Sequence, residues 1–135
     1  MIDGIGLDRG TKVLVTAGAS GIGRTIAETF EQAGAKIHIC DNSDIALEKC
    51  SSDHPSWGVT KCDGSNPAEV DTLFDEVQKN LSGLDVLVNN AGIAGPTSPV
   101  HEMDIEDWNS TIEINLNGQF YCARRAVPML KASNN

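Results

Sequence analysis

The stretch Thr16-Ala17-Gly18-Ala19-Ser20-Gly21-Ile22-Gly23 decides the fold because of what stands on either side of it. Before it, Lys12-Val13-Leu14-Val15-Thr16 is a short, β-rich apolar run that stops at glycines, the pattern of a buried strand. After it, the segment from Gly21 to Ala33 places Ile22, Ile26, Ala27 and Phe30 at helical spacing, and Gly34 is a stop signal. A glycine turn between a strand and a helix lets backbone N–H groups approach a pyrophosphate, and the helix N-terminus favours the negative charge. The dipole contributes about 0.3–1 kcal/mol to holding an anion, or ~2 kcal/mol when the site is partly buried. Glycines occur in any turn. The position of this one, between strand and amphipathic helix, points to nucleotide binding.

The same alternation continues outward. Lys36-Ile37-His38-Ile39-Cys40 predicts a second strand, Ile45 to Cys50 a short helix, and Trp57-Gly58-Val59-Thr60-Lys61-Cys62 a third strand. Pro67 suits the first position of a helix, where its missing N–H is harmless, and Val70, Leu73, Phe74, Val77 and Leu81 give that helix an apolar face. Asp85-Val86-Leu87-Val88 is the clearest apolar run and predicts a fourth strand. A loop through Gly95, Pro96 and Pro99 leads to a long helix from about Ile105 to Lys131, with Trp108, Ile112, Leu116, Phe120 and Val127 as its apolar positions. Four strands alternating with four helical segments imply right-handed βαβ units and a parallel sheet in an α/β fold. Neither an internal repeat nor a low-complexity linker interrupts the series, so residues 1–135 are expected to form one domain.

Composition narrows the function classes. The chain has 135 residues, 40% apolar and 21% charged, which is ordinary for a globular protein. A net charge of −9 argues against a nucleic-acid partner, because phosphate backbones attract Lys/Arg surfaces. No stretch approaches the ~20 consecutive apolar residues of a membrane span. Met1-Ile2-Asp3-Gly4 lacks the basic start and apolar run of a secretory signal, so a soluble, cytoplasmic protein is expected. Cys40, Cys50, Cys62 and Cys122 form no CxxC pair and read as small buried hydrophobes in a reducing compartment. His38, His54 and His101 have no partners at metal-site spacing, and no metal is expected.

The glycine turn resembles that of the short-chain dehydrogenase/reductase family, T-G-x-x-x-G-x-G. It matches at Thr16, Gly21 and Gly23 and departs at Ala17, with Gly18 one place later. Asn89-Asn90-Ala91-Gly92 resembles the family's N-N-A-G motif, and Asn115-Leu116-Asn117-Gly118 its N-x-x-G segment. The resemblance runs from about Lys12 to Lys131 and implies a Rossmann-type, doubly wound parallel sheet in three layers, incomplete at its C-terminal side. It implies cofactor contacts from Gly18, Ser20, Gly21, Ile22 and Gly23 at the pyrophosphate, and from Cys62 and Asp63 at the adenine. Asn89, Ala91 and Gly92 would lie on the nicotinamide side. Asn115 is the position of the catalytic asparagine, which bends its helix and holds a water on a proton relay. Asn and Gly are poor helix formers, so their presence mid-helix suggests a local requirement. Each motif also has a plainer reading: Asp63 as a turn cap, Asn89-Asn90 as a turn, and Asn115 as a solvent-facing residue. Homodimers or homotetramers are usual in the family, with the fourth helix at one interface.

Asp41 ends the second strand 18 positions after Gly23, about where a dinucleotide fold carries the acid that binds the adenosine ribose of NAD. An NADP 2′-phosphate would face that carboxylate, at roughly 4 kcal/mol per pair of unit charges at ~4 Å and an effective dielectric of ~20. Ser20 supplies no basic residue before Gly21. Arg24 reads as a surface arginine of the first helical turn, so NAD is expected over NADP.

The family's chemistry also needs a serine and a tyrosine followed four places on by a lysine. Tyr121 is the single tyrosine and is followed by Arg125, so it is rejected as the acid/base. The expectation is an NAD-dependent oxidoreductase that interconverts an alcohol and a carbonyl, represented by its cofactor-binding half and inactive as this chain alone. The alternatives are a dinucleotide-binding module without turnover and a truncated interaction fragment.

Overall fold

The computed structural model describes residues 6–135, so the Met1–Gly4 reading lies outside the described residues. The elements are β1 (Lys12–Thr16), α1 (Gly21–Gln32), β2 (Lys36–Asp41), α2 (Asp44–Asp53), β3 (Gly58–Lys61), α3 (Pro67–Leu81), β4 (Val86–Val88), α4 (Ile105–Ile112) and α5 (Gly118–Ala132). All strand pairs are parallel, in the order β3-β2-β1-β4.

The period-two alternation of the strands sorts the core into two layers. Val13, Val15, Ile37 and Ile39 face one side, where they pack with Ala27, Leu47, Cys50 and Trp57 from α1, α2 and the approach to β3. Leu14 and Cys40 face the other, against Val70, Leu73, Phe74 and Val77 of α3 and Cys122 and Ala126 of α5. His38 also lies on this second side. It is 2% exposed and held by Thr60 Oγ1 at 2.8 Å and Asn80 Nδ2 at 3.0 Å. Burial lowers its pKa to about 4, partly opposed by Glu76. The result is the expected α/β/α sandwich. All four cysteines are buried and free.

Helix ends follow their local chemistry. Gly34, at φ +92, closes α1: the Ala35 N–H bonds back to the Phe30 carbonyl at 3.1 Å. Asn66 caps α3 by accepting the N–H groups of Ala68 and Glu69, with Pro67 at the first position as expected.

The long fourth helix differs from the expectation. Residues Glu113–Asn117 form a π-helical turn that separates α4 from α5, so the predicted single helix is two. Its predicted apolar positions also face the wrong way for a core: Trp108, Leu116, Phe120 and Val127 are 44–63% exposed. Cys122 and Ala126 join the buried core instead, with Tyr121, Met129 and Leu130 packed against it. Ile22, expected on the buried face of α1, is 77% exposed. β3 is shorter than predicted and leaves out Trp57 and Cys62, while α2 extends beyond Ile45–Cys50 at both ends.

Candidate cofactor site

The C-terminal ends of β1, β2, β3 and β4 open into one cleft of about 160 Å³, lined by Thr16, Ala17, Asp41, Cys62, Asp63, Asn89, Ala91 and Gly92 among others. This is where an open parallel sheet binds ligands, with strand order turning outward on either side of β1. Six of the sequence-predicted site residues (Asp41, Cys62, Asp63, Asn89, Ala91 and Gly92) are thus brought together. Gly18, Ser20, Gly21, Ile22, Gly23 and Asn115 stand outside this lining.

The glycine turn follows β1 directly. Ala17 takes φ +49, the left-handed region that a side chain disfavours. Here the departure from the family's glycine has a physical consequence, since the backbone keeps glycine's conformation with a methyl group present. Gly18 has no space for a side chain, because a Cβ would lie 2.7 Å from Ile39 Cγ2. At Gly23 a Cβ would fall on the Ala17 carbonyl and the Asn90 amide, so α1 starts in close contact with the turn. Ser20 is the N-cap and makes no side-chain cap bond, and the first turn of α1 contains no acidic residue. The helix end is therefore electrostatically open to an anion.

A cross-strand clamp joins this turn to the end of β4. Thr16 Oγ1 accepts the N–H groups of Asn90 and Ala91, both at 3.0 Å. Asn90 Nδ2 donates to the carbonyls of Thr16 at 3.1 Å and Ala17 at 3.3 Å. Thr16 is 3% exposed, while Asn90 and Ala91 are half-buried. Neither Thr16 nor Asn90 was singled out as a site residue from sequence, although both stand inside quoted motifs. Gln119 was missed as well: it lines the cleft and donates from Nε2 to the Ala91 carbonyl at 2.7 Å. Asn89, the predicted contact, donates to the Gln119 carbonyl at 3.4 Å.

Asp41 is fixed by two backbone donors, Ala19 N–H to Oδ2 at 3.2 Å and Ser43 N–H to Oδ1 at 3.1 Å. The carboxylate thus bridges the glycine turn and the start of α2. Arg24, the nearest candidate for a phosphate partner by sequence, donates to Glu28 at 2.8 Å and Asp53 at 2.8 Å. Asp63 combines both of its readings. It lines the cleft, and its Oδ1 accepts Ser65 N–H at 2.9 Å and Ser65 O–H at 2.7 Å in a local turn.

Asn115 sits within the π-helical turn, and its side chain is paired twice with Ile93. Oδ1 accepts the Ile93 N–H at 2.8 Å, and Nδ2 donates to the Ile93 carbonyl at 2.7 Å. The residue thereby pins the loop after Gly92. The Tyr121 hydroxyl donates to Glu113 Oε1 at 2.8 Å, and that carboxylate pushes the phenol pKa above its ordinary value. This suits a structural tyrosine and not an acid/base. Among the described residues no group of three or more His, Cys, Asp or Glu could hold a metal ion, and no helix is long and apolar enough to cross a membrane.

Comparison with known proteins agrees with this geometry. Residues 11–135 match the short chain dehydrogenase family. A tropinone reductase homolog of Arabidopsis thaliana is 39% identical over 132 residues, which is 94% of this chain and 50% of that protein. A short chain dehydrogenase/reductase of Macrophomina phaseolina is 35% identical over 126 residues, 90% of this chain and 72% of its own length. The crystal structure of a short chain dehydrogenase from Mycobacterium smegmatis superposes with a TM-score of 0.88 at 32% identity, covering 99% of this chain and 57% of that one. The chain thus spans about half the length of several relatives it matches. Those relatives include a protein of Yarrowia lipolytica named "Probable NADP-dependent mannitol dehydrogenase" and a 2-dehydro-3-deoxy-L-rhamnonate dehydrogenase (NAD(+)) of a Sphingomonas species. With the family match spanning nearly the whole chain and the parallel sheet superposing on solved members, the chain belongs to the short-chain dehydrogenase/reductase family.

Proposed function

We propose that the protein is an NAD-dependent oxidoreductase that interconverts an alcohol and a carbonyl. The observation that carries the NAD preference is Asp41, a carboxylate held in the cleft by the N–H groups of Ala19 and Ser43. It accepts hydroxyls of an adenosine ribose and repels a 2′-phosphate. Arg24 and Lys61, the cations nearest in sequence to the turn and to β3, already pair with Glu28, Asp53 and Asp44.

When bound, the nicotinamide ring supplies the hydride chemistry. Gly18, Ser20, Gly21, Ile22 and Gly23 hold the pyrophosphate against the start of α1. Asp63 and Cys62 form the adenine wall, and Asn89, Ala91 and Gly92 the side toward the nicotinamide ribose. Asn115 positions the loop at Ile93 from within the π-helical turn and serves the proton relay there. The substrate is a small molecule, and the protein acts in the cytoplasm. Ile105, Trp108, Leu116 and Phe120, all more than half exposed, would join copies into a dimer or tetramer.

A second reading is dinucleotide binding without turnover, in which Tyr121, tied to Glu113, plays a structural part. One experiment separates the two. The full-length protein that carries this chain is incubated with NAD and a panel of secondary alcohols, and reduced nicotinamide is followed by absorbance. Turnover supports the oxidoreductase; tight NADH binding with no turnover on any alcohol or on the matching ketones supports the module.

A further inference from the structure

Cys40 and Cys62 meet at the floor of the cleft. Cys40 is the penultimate residue of β2, and Cys62 follows β3 directly. The register pairs Cys40 with Thr60, so Cys62 is its diagonal neighbour two residues on, on the same face of the sheet. Both thiols belong to one core cluster, are 5% and 4% exposed, and line the cleft. The Cys62 N–H also bonds to the Asp41 carbonyl at 3.0 Å, which ties the two strand ends together.

We propose that Cys40 and Cys62 are a redox-active thiol pair, oxidised by hydroperoxides to a disulfide that weakens dinucleotide binding in the cleft above it. The roles of the two sulfurs differ. The Cys40 thiol beside it lowers the pKa of Cys62, against the effect of burial, while Cys40 is itself raised well above its ordinary range. Cys122, on α5, is pushed up to about 11 by burial. Cys62 lies past the end of β3, outside the strand ladder, and is assigned as the attacking thiolate; Cys40, inside β2, is the resolving thiol.

The step balances. The Cys62 thiolate attacks the terminal oxygen of ROOH; the O–O bond breaks, ROH leaves with a proton, and the sulfur becomes a sulfenic acid. The Cys40 sulfur then attacks that sulfur. The S–S bond forms, the S–O bond breaks, and the hydroxyl leaves with the Cys40 proton as water. Two thiols and one hydroperoxide give a disulfide, an alcohol and water.

The link to binding is mechanical. Adjacent strands lie about 4.8 Å apart and rise about 3.3 Å per residue, so residues offset by two across parallel strands lie roughly 8 Å apart at Cα, whereas a disulfide usually spans about 4.4–6.8 Å. Closing the bond must draw the ends of β2 and β3 together, and Asp41 and Asp63 are the next residues along each chain. A strained disulfide of this kind is also easily reduced, as a reversible device requires. The effect on binding rests on the dinucleotide reading above, whereas the oxidation does not.

The protein is treated with hydrogen peroxide, and intact mass and tryptic peptides are recorded with and without saturating NADH. The expected product has lost two hydrogen masses, carries a Cys40–Cys62 cross-link that dithiothreitol removes, and forms more slowly with NADH present. In Cys40→Ser, dimedone traps a sulfenic acid at Cys62. NADH affinity of the oxidised wild type falls by about tenfold, within the usual range of coupling between sites, and returns on reduction. No cross-link in the wild type, or one through Cys50 or Cys122, overturns the thiol pair. Unchanged NADH affinity after cross-linking overturns the coupling. Failure of the reduced protein to bind NADH overturns the dinucleotide reading and the coupling with it, while the mass result still decides the thiol pair.

Discussion

The Asp41 carboxylate accepts the Ala19 N–H at 3.2 Å, so the acid that ends β2 and the glycine turn that follows β1 are held to one another. A second link joins the same turn to β4 through Thr16 and Asn90. The cleft is thus assembled by contacts between loops that are far apart in sequence, and its geometry precedes any ligand. Binding to such a site avoids the ordering cost of a mobile loop.

The Thr16 hydroxyl accepts two backbone N–H groups, and because the Asn90 N–H also reaches the Val88 carbonyl at 3.0 Å, its removal leaves the Ala91 N–H without a partner. A buried unpaired group costs about 1–3 kcal/mol. Thr16→Val should lower unfolding stability by roughly 1–2 kcal/mol in urea titrations, whereas Thr16→Ser, which keeps the oxygen, should lose much less. Equal losses in the two variants would show that the clamp is not what stabilises the turn.

Ala17 and Gly21 both have positive φ, at +49 and +55, yet only one is glycine. Left-handed backbone costs a residue with a Cβ roughly 1–2 kcal/mol, while glycine loses about 0.4–1 kcal/mol through the unfolded chain. Ala17→Gly should therefore stabilise the protein by roughly 0.5–1 kcal/mol, and Gly21→Ala should destabilise it. Thermal unfolding of the pair tests the opposite signs.

His38 is neutral in the fold, with its pKa lowered by burial from 6.5 to about 4. Between those values the unfolded chain binds the extra proton, so stability falls as the pH drops from about 6.5 to about 4. Below that window this residue adds no further loss. The full difference corresponds to about 3 kcal/mol. Urea midpoints measured across the window should slope in the wild type and flatten in His38→Gln. A parallel slope in the variant would assign the dependence to other groups.

The parts of the fold written in local sequence were legible. β1, the glycine turn and α1 follow one another within about twenty residues, and each carries its own signal in spacing or composition. Asp41 and the Asn89–Gly92 motif could be placed because strand ends supply sites in such sheets. What sequence did not convey were relationships between segments. Nothing local marks Thr16 as the partner of Asn90, 74 positions away. Nor does it show that Cys40 and Cys62 share a face, which depends on the register of β2 and β3. The apolar stripe through Trp108, Leu116, Phe120 and Val127 was readable as a stripe. Which face joins the core was not, because α5 uses Cys122 and Ala126 there. The π-helical turn at Glu113–Asn117 makes the same point, since the Asn115 side chain is committed to the Ile93 backbone in a different loop.

The central claim is that the protein binds NAD through Asp41, and fluorescence titration of the wild type and Asp41→Ala with NADH and NADPH tests it most directly. The wild type should bind NADH more tightly than NADPH, and the variant should narrow the gap by losing NADH affinity, gaining NADPH affinity or both. Tighter NADPH binding by the wild type, or a gap unchanged in Asp41→Ala, would contradict it.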